Sequence, residues 1–224
     1  MNYNSAYLWE KGSGEAFSSI SLVLQHAVVR HKQVMLVCIC ESGVPNECGV
    51  TESGYFTEGL VEWFHKTFLK LCERKGKEED TERLLRREVE RLKGEVQGFV
   101  QRKGMMSLLH FAGMLFWENL FWAFGQGDCQ MYLLNRRFNR KQIKRINEEW
   151  EQDTYFSGKI QRKVGILFCT SGYLQAMKTE DVLEVLSMDG EITEERMQRR
   201  LTELRKEVIY RGEETSVGAV YVHT

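Results

Sequence analysis

The order in which apolar segments follow one another restricts this chain more than any single motif does. Ser18 to Val29 and Lys32 to Cys40 are apolar and rich in β-branched residues, the pattern of a strand pair. Two helical patterns follow. From about Tyr55 to Glu73 the positions Leu60, Phe64, Thr67, Phe68 and Leu71 recur at intervals of three and four. From about Glu79 to Lys103 a highly charged segment carries one stripe of Leu85, Val89, Leu92, Val96, Phe99 and Val100. Met106 to Leu134 returns to aromatic, β-rich sequence. It is split by Glu118-Asn119 and by Gly125-Gln126-Gly127-Asp128, which predicts three successive antiparallel strands joined by tight turns. Val164 to Cys169 predicts a short buried strand. Thr179 to Leu186 and Thr193 to Ile209 read as helices, the second with Thr193 as N-cap and Glu195 in its first turn, and Val217 to Val222 reads as a closing strand. Strands, long helices, strands, helices, strand is the order of sheets packed on each other with helices outside, not of a βαβ alternation.

Two stretches predict no regular element. Glu41 to Thr51 is a loop by its Gly43, Pro45, Asn46 and Gly49, and Arg136 to Lys163 reads as a surface excursion, basic at its start. No repeat or linker divides the 224 residues, so one domain, 1–224, is expected.

Charge excludes some partners. With 31 Lys+Arg against 32 Asp+Glu the net charge is −1, which gives no steering toward nucleic acid or an anionic membrane. The nearest approach to a membrane-spanning run, Phe111 to Phe124, is broken by Glu118 and Asn119. Met1 to Glu15 has no apolar run with basic flanks, so no signal peptide is expected and the chain reads as cytoplasmic. Cys38, Cys40, Cys48, Cys72, Cys129 and Cys169 fall mostly in buried-strand segments, as free thiols in a reducing compartment do. Cys38 and Cys40 would share a strand face, but no second Cys/His pair at zinc spacing joins them. His26, His31, His65, His110 and His223 are scattered.

No motif specifies a mechanism alone. There is no phosphate-cradling Gly-Lys-Ser/Thr loop, and Gly125-Gln126-Gly127 opens onto a strand, unlike a dinucleotide fingerprint. Ser171 sits at a strand-to-helix turn like a nucleophile elbow, without the flanking pattern or an evident base. What recurs is a polar or acidic residue at a strand end: Glu41, Asp128, Ser171-Gly172 and Glu213-Glu214. Carboxylates facing one crevice hold hard cations through oxygen; at separate turns they are simply solvated.

Four segments in order resemble one family. Gly125 to Leu134 (GQGDCQMYLL) resembles the G-x-GDS-x-x-YLL strand of PPM-type metal-dependent protein serine/threonine phosphatases, and Gly165 to Tyr173 (GILFCTSGY) resembles their LLLCSDGL turn. Arg211 to Val217 (RGEETSV) resembles their closing G-x-DDTSV. Val37 to Gly43, then Cys48-Gly49, looks like a worn VADGMGG…AG loop. The resemblance runs from about Gly14 to Val222. It implies an α+β, four-layer α-β-β-α sandwich, two antiparallel sheets face to face with helices outside. It further implies two Mn²⁺ or Mg²⁺ ions that activate water against a phosphoserine or phosphothreonine of a protein substrate.

The same resemblance implies ligand positions at Glu15, at Glu41 with the Ser42 carbonyl, at Ser171 and at Glu213, with Asp128 at a position linked to an accessory third metal. Aspartate to glutamate moves the carboxylate outward by about 1.5 Å, against a metal–oxygen tolerance of a few tenths. Ser171 offers a neutral hydroxyl in place of a carboxylate. Ser42, Val44 and Pro45 stand where glycines let backbone approach the metals, and the basic phosphate-binding residue expected near the amino end is not identifiable. Three readings follow: a degenerate phosphatase-like domain serving as a binding or regulatory module, an active phosphatase with a Glu-remodelled site, and an unrelated sandwich-fold interaction protein.

Overall fold

The computed structural model describes residues 3–11, 19–42, 51–74, 78–102, 109–137, 140–145, 154–175, 178, 182, 186, 192–211 and 216–224. Its ten strands are β1 Asn4–Glu10, β2 Ile20–Val29, β3 Lys32–Glu41, β4 His110–Trp117, β5 Leu120–Gln126, β6 Gln130–Arg137, β7 Arg140–Arg145, β8 Thr154–Lys159, β9 Gly165–Cys169 and β10 Val217–His223. They form two five-stranded sheets, β1-β10-β9-β6-β7 and β2-β3-β4-β5-β8. Every pairing is antiparallel.

Alternation along β3 shows why the sheets stack. Met35, Val37 and Ile39 enter the core between the sheets, where they join Met114, Phe116, Met131, Ile166, Phe168 and Val220. Val34, Leu36, Cys38 and Cys40 enter a second core with the helices. A strand buried on both faces reads as a continuous apolar run, which is what Val34 to Cys40 is. The β2–β3 turn places both Arg30 (φ 50°) and His31 (φ 63°) in the left-handed region, the backbone whose twist matches a two-residue hairpin.

The helical layers follow the apolar stripes. Helix α1 (Glu52–Trp63), a π-helical turn (Phe64–Phe68), α2 (Leu69–Glu73) and α3 (Glu78–Gln101) share one outer face. Phe56, Leu60, Phe64, Phe68, Leu85, Val89, Leu92 and Val96 there pack on Leu36, Leu115 and Phe124. On the opposite outer face, α4 (Ser171–Gln175) and α5 (Glu194–Tyr210) set Tyr173, Met197, Leu201 and Leu204 against Leu167, Ala219 and Tyr221. Thr193 caps α5, its hydroxyl accepting from the Arg196 N–H at 3.3 Å, as expected. The architecture is the α-β-β-α sandwich.

Two expectations need correction, and one strand is new. That strand, β1, lies in the polar N-terminal stretch and pairs with β10 over seven residues. The supposed surface excursion contains two edge strands, β7 on β6 and β8 on β5. Of the three strands expected between Met106 and Leu134, only β4 and β5 pair with each other. At Gly127 the chain crosses to the other sheet, where β6 joins β9. Of the expected helix 179–186 only Val182 and Leu186, both buried, are among the described residues.

Candidate functional site at one end of the sandwich

The strand ends carrying the acidic positions meet. Glu41 closes β3 and lies opposite His110, which opens β4. Phe111 in turn pairs with Gln126, so the turn after β5 folds back over His110. Gly127 takes φ +74°, and a Cβ there would stand 2.7 Å from the His110 ring, so the turn requires glycine twice over. The Asp128 N–H donates to His110 Nδ1 at 2.9 Å, while Asp128 Oδ2 lies 3.2 Å from the same nitrogen. The Asp128 side chain stays 73% exposed.

Ser171 arrives from the other sheet. Cys169 at the end of β9 pairs with both Gln130 and Ala219. Buried Thr170 then fastens the turn: its N–H donates to the Gly218 carbonyl at 3.0 Å and its hydroxyl accepts from the Gly218 N–H at 3.2 Å. This sets Ser171 beside Glu41, near enough for its backbone N–H and hydroxyl to favour the ionised carboxylate. Burial pushes the Glu41 carboxyl up from its ordinary value. Nearby His110 and Ser171 pull it back, and the Asp128 charge adds to the rise.

Ser42 is turned elsewhere. Its N–H donates to the Ser19 carbonyl at 2.9 Å, and its hydroxyl accepts from the Ser53 N–H at 3.2 Å in the first turn of α1. The Ser53 hydroxyl also donates to Ser19 O, at 2.9 Å. Ser42 thus ties β2 and β3 to α1. Glu41, Asp128 and Ser171 are brought to one place. Glu15, Glu213 and Glu214, and loop positions Gly43, Val44, Pro45, Cys48 and Gly49, lie outside the described residues. Sequence reasoning missed His110, counted only as one scattered histidine. Its signal was the strand register, since Glu41 and His110 are cross-strand neighbours.

Among the described residues, no group of three or more His, Cys, Asp or Glu is placed to hold a metal ion. Manganese and magnesium take about six oxygen ligands in near-octahedral array. Against that, Glu41 has as its neighbour the neutral hydroxyl of Ser171 and not a second carboxylate. The described donors do not fit a dinuclear centre. The thiols do not substitute: burial pushes Cys38, Cys40 and Cys129 up, away from the thiolate that a metal or a nucleophile needs.

No family model and no curated protein matches this chain. Solved structures do. Serine/threonine phosphatase Stp1 from Staphylococcus aureus superposes with a TM-score of 0.78 at 12% identity, over 100% of this chain and 96% of that one. The catalytic domain of the serine/threonine protein phosphatase PstP, crystallised with two manganese ions, gives 0.74 at 13% identity over 99% and 97%. PppA of Pseudomonas aeruginosa, described as a key regulatory component of its type VI secretion system, gives 0.72 at 13% over 100% and 98%. The fold is that of bacterial PPM-type serine/threonine phosphatases, across nearly the whole chain.

Proposed function

We propose that this chain, as one domain over 1–224, is a PPM-type phosphatase-like domain that no longer turns over substrate and acts as a binding or regulatory module. One observation carries the reading. Ser171, at the position where the family resemblance implies a metal-binding aspartate, lies beside Glu41, at the position of another, and favours its charged form. Two carboxylates that converge need a cation between them; a carboxylate and a hydroxyl do not, because the hydroxyl donates. The partner on this reading is a phosphorylated protein or a regulatory protein, and PppA offers a precedent for a regulatory member of the fold. A cytoplasmic setting is supported by Cys38, Cys40, Cys72, Cys129 and Cys169, all buried free thiols. No described helix is long and apolar enough to cross a membrane.

A second reading has its own support. Glu41 and Asp128 do lie near enough to interact, and both are close enough to His110 to feel its charge or bond to its ring. Two carboxylates are a minimum for holding Mn²⁺ or Mg²⁺ in an active phosphatase with a Glu-remodelled site. Hydrolysis of an aryl phosphate with millimolar Mn²⁺ separates the two. The degenerate domain stays at the no-protein background. Chelator-sensitive turnover that disappears in Glu41→Ala would establish the active enzyme instead.

A further inference from the structure

The two sides of the sandwich are defended differently against stray strands. A strand at the edge of a sheet exposes unpaired backbone N–H and C=O groups, and proteins blunt it with charges, prolines or a covering element. On one side β7 reads Arg140-Lys141-Gln142-Ile143-Lys144-Arg145, mostly basic. On the same side β8 is covered by α3: the Tyr155 hydroxyl donates to Glu90 and the Ser157 hydroxyl to Glu82, each at 2.8 Å, with Arg86 over the Tyr155 ring at 4.7 Å. The opposite side consists of β1 and β2, the outermost strands of their sheets among the described residues. Neither contains lysine, arginine or proline, and the only charge between them is Glu10.

An open cleft of about 500 Å³ runs along β1. Tyr3, Ser5 and Tyr7 reach it from one face of the strand and Ala6 from the other, which only a space at the strand's free edge allows. Leu24 and His26 of β2 form one wall; Glu194, Glu195 and Gln198 in the first turns of α5 form the other. Asn4 Nδ2 donates to the Ile192 carbonyl at 2.7 Å and Ser5 Oγ lies 3.1 Å from His26 Nε2, so the near end of the cleft is held in shape. The far wall carries Glu194 and Glu195, the latter in an exposed 3.7 Å pair with Arg199 that a partner's cation would have to displace, and Tyr7 beside it is 57% exposed. A groove with a bare strand edge as floor and two carboxylates on one wall is complementary to an extended segment carrying basic side chains.

We infer that the free edge of β1 takes an extended, basic segment of a partner protein as a sixth strand of its sheet, with a lysine or arginine against Glu194 and Glu195. The backbone ladder would supply affinity and the carboxylates the choice of charge. This surface involves neither Glu41 nor Ser171, so it stands whether or not the chain hydrolyses phosphate. The test uses an eight-residue peptide of alternating threonine and valine with two central lysines, against the same peptide with two glutamates and a third with a central proline. Amide shifts of the full chain are followed by NMR, with affinity by calorimetry. The lysine peptide should move the amides of Asn4 to Leu8 and bind at least tenfold tighter than either control. In Glu194→Gln/Glu195→Gln, checked for folding by thermal melt, the preference for lysine over glutamate should vanish. The inference is overturned if no β1 amide moves at millimolar peptide, or if all three peptides bind alike. Sedimentation showing that β1 is already taken up in a dimer of this chain would also overturn it.

Discussion

Strand β3 crosses the molecule from Lys32 to Glu41, and its two parts are stabilised in opposite ways. From Val34 to Cys40 every side chain is buried and apolar, held from one side by the facing sheet and from the other by the helices. At Glu41 the strand delivers a carboxylate that burial disfavours and the adjoining Ser171 partly restores. The first stretch tolerates no polar atom; the second exists only through its polar partners. The fold can therefore persist at 12–13% identity to known phosphatases independently of the polar residues at the end of β3, because the two rest on different residues.

The largest break should come from the core. Phe124 packs in the helix-side cluster and its ring tip lies 2.3 Å from where a Cβ on Gly113 would stand. Phe124→Ala should cost about 3–5 kcal/mol in a denaturant melt. Gly113→Ala should cost about 1–3 kcal/mol by overpacking, and Phe124→Leu in the same chain should relieve part of that. If Phe124→Ala is as mild as a surface change, the doubly buried β-layer is misdescribed.

A middling effect is expected at the site end. Ser171→Ala removes the hydroxyl beside a carboxylate that is mostly out of water, and should cost about 1 kcal/mol at neutral pH. A purely exposed pair would show nothing.

The smallest effect has the opposite sign. Because the folded Glu41 carboxyl is raised above its ordinary 4.5, the native state binds its proton more tightly than the unfolded chain does. Ionised Glu41 therefore opposes folding: the native state is favoured below pH 4.5, and that advantage is lost as pH rises through the raised folded value. Glu41→Gln should be slightly more stable than the parent at pH 7, with the gap closing as pH falls into the acid range. A gap that widens on acidification would mean the shift has the other direction.

What could be read from the sequence divides along the same line. Val34 to Cys40, Gly165 to Cys169 and Val217 to Val222 were legible because burial on both faces writes an unbroken apolar run. The helices α3 and α5 were legible because one buried face leaves a stripe, ending at a cap in Thr193. Strand β1 was not, since Asn4 to Glu10 is an edge that buries only part of one face and so reads as polar. Strand β8 hid for the same reason, β7 because its sequence is mostly basic, and the crossing at Gly127 hid because a turn between sheets uses the same glycines as a hairpin. Of the site, Glu41, Asp128 and Ser171 were visible as polar strand ends, but that Ser171 adjoins Glu41 follows only from the meeting of two sheets. His110 was invisible without the register that sets it beside Glu41.

The central claim is that Ser171 and Glu41 adjoin where the family resemblance implies metal ligands, and calorimetric titration with Mn²⁺ tests it directly. The parent chain should show no saturable binding at micromolar metal and no manganese-dependent rise in its melting temperature. Glu41→Asp/Ser171→Asp/Glu213→Asp should gain both, while each single change does little, because the ligands of a shared site act together. Micromolar Mn²⁺ binding by the parent, lost on Glu41→Ala, would contradict the account.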